Sequence, residues 1–238
     1  MPENESAAIE HAGRVREMFA RIANRYDLLN HLLSANVDKR WRRLVATRVR
    51  EKLSSRSARV LDVACGTGDL SLTLFEITGA RVVGTDFCRP MLGIAAGKVP
   101  GQIQLIEGDA LRLPFRNGSF DAVTIAFGLR NLSSVESGLT ELRRVLKPGG
   151  WLAVLECSRP SNATLRALYG LYFRRVLPLV GGVISGSRTA YAYLPASVQE
   201  FPDQLRLALL IEQAGFDQVG YENLTGGIAA LHMGRRPE

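Results

Sequence analysis

Three aspartates, each set at or near the end of an apolar run, are the residues of this chain best placed to do chemistry. Asp62 stands in Arg59-Val60-Leu61-Asp62-Val63, Asp86 closes Arg81-Val82-Val83-Gly84-Thr85, and Asp109 follows Ile103-Gln104-Leu105-Ile106-Glu107-Gly108. Between the first two lies Ala64-Cys65-Gly66-Thr67-Gly68-Asp69, where two glycines let the backbone turn tightly and approach a ligand closely. A dinucleotide site wants G-x-G-x-x-G, so that helix N-terminal amides can hold a pyrophosphate. Here Ser71 falls where the third glycine would be. A carboxylate at Asp62 repels a pyrophosphate and suits a ligand that carries a cationic amino group. Asp86 lies where ribose-binding acids are expected and can accept both ribose hydroxyls. Asp109 and Ala110 are placed to meet an adenine edge.

S-adenosylmethionine has such an amino group and no phosphate. The order of these carboxylates resembles the class I S-adenosylmethionine-dependent methyltransferases. The alternative is a set of turn glycines and helix-capping aspartates with no ligand. The resemblance implies an α/β fold: a Rossmann-like, mostly parallel seven-stranded sheet with a terminal antiparallel hairpin, plus N-terminal helices. The hydrophobic pattern agrees, because β-branched runs alternate with helical spacing, as in a parallel sheet. Strands are expected near 59–64, 81–85, 103–107, 121–126 and 151–156. Helices are expected near 69–77, with Asp69 as N-cap, and near 90–98, 134–146 and 202–214. Lys147-Pro148-Gly149-Gly150 reads as a helix stop that starts the next strand. Two apolar stretches around Thr225-Gly226-Gly227 read as the terminal hairpin.

Before the first strand, residues 1–8 read as a disordered tail and 9–55 as a helical cap. The rest, 56–238, reads as the methyltransferase domain. The cap carries a basic helix from Asp38 to Leu53, with Lys39, Arg40, Arg42, Arg43, Arg48, Arg50 and Lys52. Its arginines are expected on a solvated face, with a membrane-facing role as the alternative, while Trp41, Leu44, Val45 and Val49 face the sheet. Residues 161–188 are strongly apolar with basic edges, broken by Pro178 and Gly181-Gly182. They could line a greasy pocket, lie on a membrane, or form a core helix.

The 238 residues carry 30 basic and 23 acidic side chains, a net charge of +7. That balance is too modest to imply nucleic acid, but it suits an anionic bilayer surface. Cys65, Cys88 and Cys157 have no metal-ligand spacing, so no metal is expected and a reduced, cytoplasmic compartment fits. Cys65 reads as a small loop residue, with a reactive thiol as the alternative. The chain opens without the apolar core of a signal peptide.

Other motifs narrow the class. Tyr26-Asp27-Leu28-Leu29-Asn30, Leu33-Ser34 and Trp41 follow one signature of the ubiquinone/menaquinone biosynthesis C-methyltransferase family, with Leu29 for a methionine and Asp38 for a histidine. Arg144-Val145-Leu146-Lys147-Pro148-Gly149-Gly150 with Glu156 and Ser158 meets a second. Phe127-Gly128-Leu129-Arg130-Asn131 and Asn223-Leu224-Thr225-Gly226-Gly227 are also similar to that family. The resemblance implies methyl transfer to a ring carbon of a polyprenylated quinol, turning demethylmenaquinol into menaquinol. It implies cofactor contacts at Asp62, Gly66, Thr67, Gly68, Asp86, Asp109, Ala110 and, through its backbone, Ala126. Tyr26, Asp27 and Asn30 would close over the cofactor or touch substrate. Arg130 and Asn131 would serve catalysis, Arg130 by holding a phenolate or ordering a water that acts as base. The alternative for Arg130 is pairing with a helix-end carboxylate, and His232 reads as structural rather than as a base.

The expected partners are the quinol, a peripheral contact with the inner face of the membrane, and a second copy in a homodimer. Rival readings are a benzoquinol methyltransferase of the ubiquinone pathway, an enzyme serving both quinones, and a cofactor-binding scaffold without activity. A nucleic-acid base methyltransferase would carry Asn/Asp-Pro-Pro-aromatic after the fourth strand, where this chain has Ala126-Phe127-Gly128-Leu129.

Overall fold

The computed structural model describes residues 2–34, 36–160, 162–171, 193 and 196–238. Two helices lead, α1 (Pro2–Leu33) and α2 (Val37–Lys52). The alternating core follows as β1 (Arg59–Val63), α3 (Asp69–Thr78), β2 (Arg81–Asp86), α4 (Arg89–Lys98), β3 (Gln104–Glu107), β4 (Phe120–Ala126), α5 (Val135–Val145) and β5 (Leu146–Cys157). The chain continues through α6 (Ala163–Leu171), α7 (Gln204–Gln213), β6 (Asp217–Leu224) and β7 (Ala229–Arg235).

The seven strands run in the order β3-β2-β1-β4-β5-β7-β6. Only β7 is antiparallel to its neighbours, lying between β5 and β6. Strand order reverses direction around β1, which pairs with β2 on one side and β4 on the other. Ligands of open α/β sheets bind at such a switch point, beyond the carboxyl ends of the strands.

Period-two alternation assigns the two faces of β1. Leu61 and Val63 pack with Leu139, Leu142, Leu207 and Ile211, so α5 and α7 cover one face. Val60 packs with Val45, Val49, Leu70 and Leu74, so α2 and α3 cover the other. The cap helix α2 therefore shares the core of the sheet. Its outer end is tied down where Trp41 Nε1 donates to Thr225 Oγ1 at 3.0 Å and Arg48 pairs with Glu222 at 3.0 Å. Strand and helix limits agree with the sequence pattern to within a few residues, as does the terminal hairpin.

Three readings are corrected. The expected disordered tail lies within α1, which starts at Pro2. Proline suits a first helical turn, and no breaker follows before Gly13. Gly68 rather than Asp69 caps α3, in the left-handed region at φ 84°. Asp69 is the first helical residue, and its carboxylate is used elsewhere. The Lys147-Pro148-Gly149-Gly150 stretch follows the end of α5 and lies in the irregular start of β5, as its sequence suggests, with a register shift after the Leu146–Phe120 pair. Arg42 is buried rather than solvated. Of the apolar segment at 161–188, only α6 and Asn162 fall among the described residues. The expectation for 172–188 lies outside them.

Candidate active site

The turn after β1 sets the geometry. Ala64, Gly66 and Gly68 all adopt positive φ, at 53°, 56° and 84°. A left-handed Ala64 is strained, and the loop keeps it because Asp86 reaches across to hold the next turn. One Asp86 oxygen accepts from Gly66 N at 2.8 Å, and the other accepts from Cys88 N at 2.8 Å. Burial raises the Asp86 carboxyl above its ordinary range, while these amides partly offset that cost. A Cβ built on Gly66 would have only Tyr26 Cε1 within 4 Å, at 3.9 Å, so this backbone faces an open cradle under a tyrosine roof.

A cleft opens over this turn. Gly66, Asp86, Asp109, Ala110 and Ala126 line it. Its apolar lining includes Phe19, Phe87, Met91, Leu111, Phe127 and Leu132. Helix α1 forms the roof with Ala12, Phe19 and Tyr26, spaced by seven residues and so on one helix face. The site residues expected at the ends of β1 to β4 are thus brought together, and the fit suits an adenosyl ligand: two strand-end carboxylates stand beside small residues and an apolar floor.

Asp62 sits deeper. It is 1% exposed and accepts from Ser71 Oγ at 2.6 Å and Thr124 Oγ1 at 2.9 Å. Burial pushes its pKa up to about 6, and the two hydroxyls only partly counter this. It lines a second, small cavity behind the turn, with Tyr26, Arg42, Gly66, Thr67 and Asp69. Ser71, which displaces the third glycine of a dinucleotide loop, is therefore an orienting group for Asp62. No sequence signal marked Thr124 for that role.

The Tyr-Asp-x-x-Asn motif does close over the turn. Asp27 accepts a hydrogen bond from Thr67 Oγ1 and another from Lys98 Nζ at 2.6 Å. Lys98 also reaches Asp69 at 2.6 Å and Thr67 Oγ1 at 3.3 Å. Burial opposes the charge on Lys98, but Asp27 and Asp69 outweigh it and hold its pKa high. Tyr26 is hydrogen-bonded to Asn30, and burial keeps its phenol protonated above the ordinary range. Lys98 was not anticipated, because nothing in Ala95-Ala96-Gly97-Lys98-Val99 differs from an ordinary basic helix end.

Arg130 and Asn131 lie in a one-turn helix after β4. Arg130 is buried and bonds through Nη1 to Glu156 at 2.7 Å and to the Phe127 carbonyl at 2.7 Å. Burial opposes its charge, yet Glu156 outweighs this and keeps it firmly protonated. Its partner is thus a strand residue of β5 rather than a helix-end carboxylate. Its Nε is buried with no partner among the described residues. Arg130 faces a neighbouring cavity with His11, Val135 and Tyr193. Asn131 lines the main cleft and accepts from Tyr193 hydroxyl at 3.1 Å, while its carbonyl contacts His11 Nε2 at 3.2 Å. His232 lies elsewhere, bonded to the Gln204 carbonyl at 2.8 Å and packed on Tyr221. Its role is structural.

The model of the ubiE/COQ5 methyltransferase family matches residues 7–236. A demethylmenaquinone methyltransferase of Thermus thermophilus is 52% identical over 224 residues, covering 92% of this chain and 100% of that protein. A ubiquinone/menaquinone biosynthesis C-methyltransferase UbiE of a Geobacter species is 44% identical over 237 residues, covering 97% and 99%. Among solved structures, a possible histamine N-methyltransferase of Thermotoga maritima aligns with TM-score 0.64 at 20% identity, over 92% of this chain and 99% of that one. The [4+2]-cyclase SpnF aligns with TM-score 0.68 at 18% identity, over 94% and 95%. A cyclase and a methyltransferase share this architecture, so the structural likeness speaks to fold alone.

Proposed function

The chain belongs to the ubiE/COQ5 methyltransferase family, and from that premise we propose that it methylates a ring carbon of demethylmenaquinol to give menaquinol. It is an S-adenosylmethionine-dependent methyltransferase of class I fold. The observation that carries the substrate reading is the apolar share of the cleft lining, where Phe19, Phe87, Met91, Leu111 and Leu132 accompany Asp86 and Asp109. Such a wall suits a flat, greasy ring and offers nothing to a phosphate backbone.

The bound donor supplies an electrophilic methyl group. The chain's own residues hold and exclude. Asp86 and Asp109 receive hydroxyl and adenine groups, Gly66 gives close backbone approach, Gly68 lets the turn pack closely on Ala95 of α4 and on Val99, and Thr67, Ala110 and Ala126 shape the walls. Tyr26, Asp27 and Asn30 cover the turn and keep water from it, so much of the rate gain is positioning. Arg130 stabilises the negative charge that grows on the ring hydroxyl, because it is a cation held in place by Glu156 with an unpartnered Nε. Asn131, fixed by Tyr193, orients the ring hydroxyl. Arginine is a poor base, so the proton leaves through water.

Cytoplasmic residence with a peripheral membrane contact and a homodimer complete the proposal. Among the described residues no helix is long and apolar enough to cross a membrane. The deciding experiment gives purified protein S-adenosylmethionine with a reduced short-chain demethylmenaquinone or with the matching benzoquinol precursor. A methyl gained by the naphthoquinol alone supports the proposal, and gain by both makes it a shared enzyme. Cofactor binding without either product would move the reading to a scaffold.

A further inference from the structure

We propose that Arg42, on cap helix α2, binds the α-carboxylate of the methyl donor, making the cap part of the cofactor site. The inference rests on the reading of the cleft as an S-adenosylmethionine site. The amino acid end of that molecule carries an ammonium and a carboxylate on the same carbon. A site that buries it must present an anion and a cation a few ångströms apart.

The cavity behind the glycine turn does so. Asp62 and Arg42 line it together, with Tyr26, Gly66 and Thr67. Arg42 is the one basic side chain lining either this cavity or the main cleft among the described residues. Lys98 stands close by, but its three ammonium donors are already directed to Asp27, Asp69 and Thr67 Oγ1. Arg42 is only partly engaged. Its Nη1 binds Asp38 and stands 3.7 Å from Asp69, while Nε and Nη2 make no hydrogen bond to a described residue. The side chain is only 9% exposed and lines the cavity.

Its position is prepared from behind. Asp38 also accepts from Ser34 Oγ at 2.6 Å and pairs with His31 Nδ1 at 2.9 Å. A guanidinium held at one nitrogen keeps a planar edge for a second carboxylate, which a lysine could not offer. The surrounding cluster also holds Asp27, Asp38 and Asp69. The rival is therefore that this pole takes only the ammonium, with the carboxylate left to water or backbone amides.

Calorimetry with a matched ligand pair separates the two. S-adenosylhomocysteine carries the carboxylate, and its decarboxylated counterpart keeps the amine and lacks it. Arg42→Gln should weaken the first by roughly ten- to hundredfold, the size of a charge-assisted hydrogen bond. Binding of the second should stay within about twofold, so that discrimination collapses. Arg42→Lys, which keeps a cation beside Asp38 if the glutamine variant fails to fold, should give intermediate discrimination. Equal weakening of both ligands, or unchanged discrimination in either variant, overturns the assignment and leaves Arg42 a structural partner of Asp38. A wild-type protein that binds neither ligand overturns the cofactor reading of the cleft, and this inference with it.

Discussion

At the scale of single residues, buried charge is the currency of the site. Asp62 ionises in a dry position, and its pKa of about 6 marks the cost. The unfolded chain loses that proton near the ordinary value of 3.8, the folded chain near 6. Native protein therefore holds more protons between these values, and this residue's contribution to stability falls as pH rises through that window. Asp62→Asn should raise stability at pH 7 by on the order of 1–3 kcal/mol, measured by urea denaturation. The same variant should bind S-adenosylhomocysteine more weakly. In the wild type, affinity should drop as pH falls below about 6, up to tenfold per unit, because protonation removes the partner of the ammonium. Calorimetry across pH 5 to 8 checks this, and a flat profile in the asparagine variant would assign it to Asp62.

Arg130 presents the opposite case. Removing it leaves Glu156 buried and unpaired, so Arg130→Ala should lose about 3–5 kcal/mol of stability. Loss of turnover in that variant alone would not identify a catalytic role. The double variant Arg130→Gln with Glu156→Gln should regain most of the stability, because both charges go together. If Arg130 stabilises the ring oxyanion, turnover in the double variant should stay depressed by at least about a hundredfold while cofactor affinity is normal. Recovered turnover would reduce Arg130 to a partner of Glu156.

At the scale of elements, the catalytic cleft is assembled from a helical cap and a sheet edge. Their junction is held by Lys98, which links Asp27 of α1 to Asp69 of α3 and to the glycine turn. Lys98→Ala should leave the sheet folded and loosen α1. Hydrogen exchange in 12–33 should quicken while β1 and β4 stay protected, since these strands lie in the buried core and the cap junction does not. Affinity for S-adenosylhomocysteine should fall about tenfold, the cost of a freed lid. Uniform protection in the variant would mean that packing of Phe19, Ala23 and Tyr26 suffices to seat α1.

At the scale of the whole molecule, net charge bears on the membrane contact proposed above. With a net charge of +7, the chain should sediment with anionic liposomes at low salt and be released as salt shortens the range of attraction. Lys39, Arg40 and Arg43 of α2 are exposed, and Leu28 and Leu32 near the end of α1 stand 61% and 51% exposed. Protein that stays in the supernatant at low salt would remove the membrane from the proposal and leave the quinol to reach it by another route.

Much of this molecule is written in local patterns. Alternating apolar runs and glycine turns determine the strands, their order of appearance and the ligand edge, because period and turn chemistry act over a few residues. Asp62, Asp86 and Asp109 could be named from their places at strand ends, and the Tyr26-Asp27-Asn30 motif from its residues. What lay beyond reach depends on contacts between distant segments. Arg42 looked like one more arginine of a basic helix, and only packing of α2 against β1 and α3 turned it inward to Asp38 and Asp69. Lys98 became the hub of three partners because α4 ends beside the glycine turn. Arg130 and Glu156 are 26 residues apart and meet only when β4 and β5 pair. Ser71 and Thr124 were needed to hold Asp62 once burial took its water away. Sequence determined which groups carry the chemistry; tertiary structure decided which of them are dry, paired and aimed, since desolvation and charge pairing are properties of neighbours brought together by folding.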